Sequence, residues 1–291
     1  MTDRPEKLRA DLVLLVLCII WGTSFPLMRA SVRDLNPALY LAARFWIAVG
    51  LLLPFFLKHR RTLSPSAWRR GFFLGAAMFA GMFCQTAGLK YTSASNSGFL
   101  TALSVILVPV WNRLFRGRGL RLQEGAGLLL ASAGVVLIAG AGLGGFNRGD
   151  ALTAAGAVAF SVQIVLIESF VGRDESLPYA WMMIFWTAVL ATLAAPFFGP
   201  LRLGGGPGIA AGIVYLGVFA TAAGFWGQTR YQPRTSSTAA AVLYATEPVF
   251  AAVFARIFLA EFLTPGSWLG GALIFAGICV HETARPPGGS S

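Results

Sequence analysis

Residues 90–95 read Lys90-Tyr91-Thr92-Ser93-Ala94-Ser95, followed after an apolar run by Pro109-Val110 and then by Gly127-Leu128-Leu129-Leu130-Ala131-Ser132-Ala133-Gly134. The same order returns near the end as Arg230-Tyr231, Thr235-Ser236-Ser237, Pro248-Val249 and Gly270-Gly271-Ala272-Leu273-Ile274-Phe275-Ala276-Gly277. Lys90 to Arg230 is a shift of 140, Pro109 to Pro248 of 139, and Gly134 to Gly277 of 143. A period of about half the chain reads as the duplication of one unit, with halves 1–145 and 146–291.

The composition says what that unit sits in. Of 291 residues, 56% are hydrophobic and only 12% charged, against about 25% charged in a soluble domain. Such a chain cannot cover itself with polar surface, so the lipid bilayer is its expected solvent. Its 34 Gly and 8 Trp suit helices that pack closely and anchor at interfaces. The net charge of +11 comes from basic residues in short loops between apolar runs, so nucleic acid is not an expected partner. Cys18, Cys84 and Cys279 lie inside apolar runs and read as small hydrophobes. With only His59 and His281, no zinc spacing exists, and no metal or cofactor is expected.

A membrane span needs about 20 apolar residues. Ten fit: 11–29, 37–57, 67–90, 93–113 and 122–142 in the first half, then 150–171, 177–198, 208–229, 235–259 and 265–282 in the second. The N-terminus carries Arg4, Lys7 and Arg9 before Leu12–Ile20, but no A-x-A site follows, so it reads as an uncleaved first span. With the N-terminus inside, 16 of the Lys and Arg residues fall on the inner side. Six fall outside, namely Arg29, Arg33, Lys90, Arg148, Arg202 and Arg256, while Arg44 lies within a span. This bias predicts both termini in the cytoplasm. Five spans per half is an odd number, so the second half enters the membrane in the opposite sense. The expected fold is therefore an all-α integral membrane protein, a 5+5 inverted repeat of ten transmembrane helices. That architecture is typical of secondary transporters.

Particular residues tie the chain to a family. Ile20-Trp21-Gly22-Thr23-Ser24-Phe25 resembles the first-span signature of EamA-type members of the drug/metabolite transporter superfamily. Glu247-Pro248-Val249, Leu259-Ala260-Glu261, Leu263-Thr264 and Gly270–Gly277 are similar to that family's closing pattern. The resemblance runs from about Leu12 to Glu282. Two departures stand out: Gly117-Arg118-Gly119 replaces Ala260-Glu261-Phe262 in the first half, and Phe160-Ser161 replaces Trp21-Gly22 in the second. The many aromatics most resemble the YddG-type bacterial exporters of aromatic and other neutral amino acids. The resemblance implies multi-pass insertion in a bacterial inner membrane, alternating access, and a cavity lined by spans 1, 3, 4, 6, 8 and 9. The substrate would be an amino acid or amphipathic metabolite, and the protein a monomer or homodimer. A multidrug or nucleotide-sugar-like carrier is the alternative.

A charge at mid-membrane costs about 2.5–3.5 kcal/mol on insertion scales, so it usually faces protein or water. Glu247 is the clearest case, twelve residues into span 235–259 and so near the midplane. It is expected either to meet a substrate amino group or proton, or to serve as a structural carboxylate beside Pro248. Tyr244 and Ala240 share its face. On span 93–113, Asn96, Phe99 and Leu103 form the matching stripe, with Asn96 near the outer end as either a cap or a pathway residue. Phe79 and Phe83 stand one turn apart on span 67–90, Gln163 is the amide at the middle of span 150–171, and Trp21 marks half-depth of the first span. Each of these lines the pathway or packs. Arg44 is expected to pair with an acid or to reach outward. Glu168, near the inner end of its span, is expected to be solvated. Pro109 and Pro248 are candidate helix kinks. Gly71-x-x-x-Gly75 and Gly208-x-x-x-Gly212 are expected to seat close helix contacts.

Competing classes lack their chemistry. An intramembrane metalloprotease needs H-E-x-x-H and a serine type a histidine within the membrane; neither is present, so Asn96-Ser97-Gly98 reads as a polar helix start. A channel would show a charged ring or a filter motif.

Overall fold

The computed structural model describes residues 4–33, 35–59, 63–116, 122–141, 147–171, 175–204, 206–234, 243–244 and 246–283. Thr235-Ser236-Ser237, Ala240 and Gly117-Arg118-Gly119 lie outside the described residues, as does the side chain of Pro109. Among the described residues every regular element is helical. In the first half, α1 spans Arg4–Val32, α2 Pro37–His59, α3 Pro65–Gly88, α4 Ala94–Thr101, α5 Leu103–Arg116 and α6 Leu122–Ala141. The second half has α7 Arg148–Phe170, α8 Ser176–Ala194, α9 Gly206–Tyr215, α10 Gly224–Tyr231, α11 Glu247–Leu259 and α12 Pro265–Thr283. A π-helical segment, Leu216–Ala223, joins α9 to α10.

Among the described residues, six helical runs are long and apolar enough to cross a membrane: Leu8–Val32, Pro37–His59, Pro65–Gly88, Arg148–Phe170, Ser176–Phe197 and Gly206–Arg234. Their starts follow capping chemistry. Asn36 accepts at its side-chain oxygen from the N–H groups of Ala38 (3.0 Å) and Leu39 (3.2 Å), just ahead of Pro37. Ser64 caps α3 before Pro65, and Ser93 caps α4 by accepting from Asn96 N. Asn147 and Asp150 form a reciprocal capping box on α7. Each device satisfies N–H groups that a helix leaves orphaned.

Lipid offers no hydrophobic drive between helices, so contact rests on close packing of small residues. α6 lies along α12, α3 against α7 and α8, α2 against α8 and the π segment, and α1 against α11 and α10. A methyl group on Gly134 of α6 would come within 2.5 Å of Gly270 O on α12, so the repeated Gly127–Gly134 and Gly270–Gly277 stretches meet each other backbone to backbone. Gly22 of the Trp21-Gly22 pair serves the same end, since a methyl there would meet Phe250 Cβ at 2.6 Å.

The two expected glycine seats differ. Gly71 and Gly75 do seat α8, with Met182 Cβ 2.7 Å from where a Cβ on Gly71 would lie. A Cβ on Gly208 or Gly212 would meet nothing within 4 Å among the described residues, so they seat no contact there. The prolines also differ from each other. Pro109 lies inside α5, and the helix interruption falls seven residues earlier, at Ala102 between α4 and α5. Pro248 is the second residue of α11, where a missing N–H costs no intrahelical bond.

Candidate functional site

The site is a cavity of about 90 Å³ lined by residues from both halves of the chain. Four residues of α1 reach it at helical spacing: Trp21, Ser24, Phe25 and Met28. α2 contributes Arg44, α3 Gln85, α7 Gln163, α10 Phe225 and Gln228, and the chain at the start of α11 contributes Tyr244, Glu247 and Pro248.

Its walls are aromatic on one side. The Trp21 ring lies 5.8 Å from Phe225 and 6.1 Å from Tyr244, and Phe225 lies 6.1 Å from Phe45. The Trp21 indole N–H donates to Ala220 O at 2.9 Å, inside the π segment. A π turn shifts its backbone pairing by one residue, and such turns are frequent at functional sites. Here it presents a carbonyl to Trp21 and supports the ring from behind. Tyr244 donates from its hydroxyl to Gln232 Oε1 at 3.1 Å, which fixes the phenol.

The polar groups are few. Gln163 Nε2 reaches Gln228 Oε1 and Met183 Sδ, each at 3.4 Å. Gln85 Nε2 donates to Thr101 Oγ1 at 2.9 Å. Ser24 Oγ is buried with no hydrogen-bond partner among the described residues. Glu247 starts α11, where a carboxylate also suits the positive end of the helix dipole.

Of the residues singled out from sequence, the structure gathers Glu247, Tyr244, Gln163, Trp21 and Pro248 around this cavity. Phe79 and Phe83 stack on each other at 5.6 Å, and Phe83 meets Phe198 at 4.5 Å. Both pack against the core and stay off the cavity wall. Phe99 faces a separate groove beside α11 and α12, and Asn96 accepts from Ser267 Oγ at 3.4 Å at the start of α4. Glu168 is exposed.

Arg44 corrects the expectation made for it. The side chain is 1% exposed, and no acid pairs with it among the described residues. Its partners are Thr221 Oγ1, which accepts from Nε at 2.6 Å, and Met28 Sδ at 3.4 Å from Nη1. The signal in the sequence was the arginine itself, since a guanidinium in an apolar span is rare. What it faces depends on Thr221, 177 residues away.

At one end of the bundle a second cluster ties the halves together. Glu261 accepts from the N–H groups of Ala94 (3.2 Å) and Ser95 (3.3 Å) at the start of α4 and from Ser95 Oγ at 3.2 Å. Arg29 of α1 pairs with the same carboxylate and donates to Leu89 O at 2.6 Å and to Thr92 O.

Comparison with known proteins adds an independent line. The model of the EamA-like transporter family matches the chain twice, over residues 8–140 and 147–281. An uncharacterised transporter of Archaeoglobus fulgidus is 32% identical over 283 residues, covering 94% of this chain and 86% of that protein. The uncharacterised transporter YvbV of Bacillus subtilis is 27% identical over 300 residues, covering 95% and 92%. A solved crystal structure superposes with a TM-score of 0.70 at 23% identity, covering 94% of this chain and 96% of the other, a likeness of fold.

Proposed function

The chain belongs to the EamA-like transporter family and is a membrane transporter of small molecules; from that premise we propose that it exports aromatic and other neutral amino acids by alternating access. The observation that carries this reading is the cavity: the aromatic rings of Trp21, Phe225 and Tyr244 line it together with Glu247. The rings suit an apolar side chain, and the carboxylate suits an amino group. The membrane is the bacterial inner membrane in this reading.

The architecture proposed is ten spans in two inverted five-helix halves, 1–145 and 146–291, with both termini in the cytoplasm. The helix contacts support it. Exchanging α1 with α7, α2 with α8, α3 with α9–α10, α4–α5 with α11, and α6 with α12 turns the α3–α7 contact into α10–α1. It likewise turns α3–α8 into π segment–α2, and α1–α11 into α7–α4, while α2–α8 and α6–α12 map onto themselves; all of these contacts occur. The aromatic pair obeys the same exchange, because Trp21 covers Gly224 of α10 while Phe160 of α7 covers Gly81 of α3. Rocking of one half against the other would then open the cavity to each side in turn.

The test is reconstitution in liposomes with labelled phenylalanine, labelled threonine and a labelled cationic drug, with and without a pH gradient. Uptake of phenylalanine is the expected result. Movement of the drug alone would overturn this reading in favour of a multidrug exporter.

A further inference from the structure

Arg44 is a full positive charge inside the bundle, and nothing described neutralises it. A buried cation normally recovers its lost hydration from a carboxylate; left alone it is strongly destabilising. Here the hydrogen-bond partners are a hydroxyl and a thioether, with the Tyr40 phenol close by and the ring of Phe45 5.8 Å away. Thr221 spends its own proton on Leu216 O at 2.9 Å, five residues back, which is a bond the π turn makes possible. Its lone pairs are thereby left to accept from Arg44 Nε. The π segment also packs on the α2 backbone itself, since a methyl on Gly217 would lie 3.0 Å from Arg44 O. The guanidinium is thus held at one edge by Thr221, and Arg44 lines the cavity.

Ser24 supplies the second observation. It stands one turn before Met28, whose sulfur touches Arg44 Nη1, and both residues line the cavity. Its hydroxyl is buried without a partner among the described residues. A buried, unpartnered hydroxyl is costly, and a ligand acceptor or donor would satisfy it. Glu247 lines the same cavity and is not ion-paired with Arg44.

We propose that Arg44, held by Thr221 of the π segment and helped by the Ser24 hydroxyl, binds the carboxylate of the transported molecule, so that a zwitterion spans the cavity between Arg44 and Glu247. This rests on the amino-acid reading above and deepens it. A planar guanidinium matches a carboxylate with two parallel hydrogen bonds, which an ammonium cannot copy. The incoming carboxylate supplies the counter-charge the fold withholds. The site therefore rewards ligands bearing an anion and leaves an empty cavity electrostatically strained.

The experiment is binding to the detergent-purified protein of labelled phenylalanine, 3-phenylpropionate and 2-phenylethylamine, with thermal unfolding measured on every variant. Wild type is expected to bind all three, phenylalanine most tightly. Arg44→Gln should lose phenylalanine and 3-phenylpropionate binding by about tenfold or more, the scale of one charge-assisted hydrogen bond, and keep 2-phenylethylamine. Glu247→Gln should lose phenylalanine and 2-phenylethylamine and keep 3-phenylpropionate. Arg44→Lys and Thr221→Val carry the test if Arg44→Gln does not fold, each weakening the two carboxylates selectively. Undiminished 3-phenylpropionate binding in these variants, or equal loss of the amine, would overturn the proposal. Wild-type binding of 3-phenylpropionate through Arg44 without any binding of phenylalanine would leave the anion site standing and overturn the amino-acid reading.

Discussion

Arg29 Nε lies 3.3 Å from Glu261 Oε1, joining the end of α1 to the turn between α11 and α12 across most of the sequence. The carboxylate also caps the start of α4, so one side chain holds three elements from both halves. Its placement follows from Ala260, which ends α11 in the left-handed conformation at φ 52° and turns Glu261 inward. In the first half Arg118 stands where Glu261 stands in the second, so this clasp has no acidic counterpart in the repeat. Glu261→Ala removes an ionic partner and the acceptor of two backbone N–H groups together. It should lower stability by about 1.5–3 kcal/mol, the range for hydrogen bonds to charged groups. Glu261→Gln should recover part of that. Thermal unfolding in detergent measures both, and an unchanged midpoint for Glu261→Ala would show that the clasp contributes nothing.

Ala260 itself gives a smaller test of the same turn. A non-glycine residue in the left-handed region costs about 1–2 kcal/mol, so Ala260→Gly should raise stability by about 1 kcal/mol, read as a higher unfolding temperature. A lower temperature would mean that the methyl group packs better than the strain costs.

Glu247→Gln keeps the shape at the start of α11 and removes the charge. Export of the proposed amino-acid substrate should be abolished while the amount of protein in the membrane stays at the wild-type level. The measurement pairs efflux from loaded cells with quantification of the membrane fraction. Export at the wild-type rate would make Glu247 a structural carboxylate.

Sequence alone made much of this site visible, and the reasons for the misses are physical. The repeat, the apolar runs and the solitary Glu247 are one-dimensional signals. Trp21, Gln163 and Tyr244 stood out as polar or aromatic residues at the right depth. Phe79 and Phe83 shared those traits yet pack on each other, with Phe83 against Phe198, because a membrane helix is apolar all round and its periodicity does not say which face meets the cavity. Arg44 was visible as a charge, but whether an acid waited for it depended on α9–α10. The π segment was hidden because Leu216–Ala223 carries the same residue types as an ordinary α-helical span. Gly208 and Gly212 matched the spacing of Gly71 and Gly75 but meet nothing among the described residues.

The difference between those glycine pairs makes a paired prediction. Gly134→Val drives a Cβ to 2.5 Å from Gly270 O and forces α6 away from α12. Overpacking of this kind costs about 1–3 kcal/mol. The folded yield and the unfolding temperature should both fall. Gly212→Ala meets nothing within 4 Å and replaces a poor helix former, so it should leave both unchanged or slightly raised. Equal losses in the two variants would mean that Gly212 is covered in the membrane by a second copy of the chain, the homodimer arrangement.

Pro248 separates mechanism from stability. Because it is the second residue of α11, its missing N–H is one the helix leaves unpaired in any case, and its fixed φ suits that position. Pro248→Ala should therefore change the unfolding temperature little. The residue also lines the cavity directly after Glu247, so added freedom at the first turn of α11 loosens the position of that carboxylate. Transport should fall several-fold at unchanged protein level, with the loss in the maximal rate rather than in substrate affinity. Pro109→Ala, inside α5, is the comparison, and it too should alter transport more than stability. Equal loss of folded protein and of transport in either variant would assign that proline to structure.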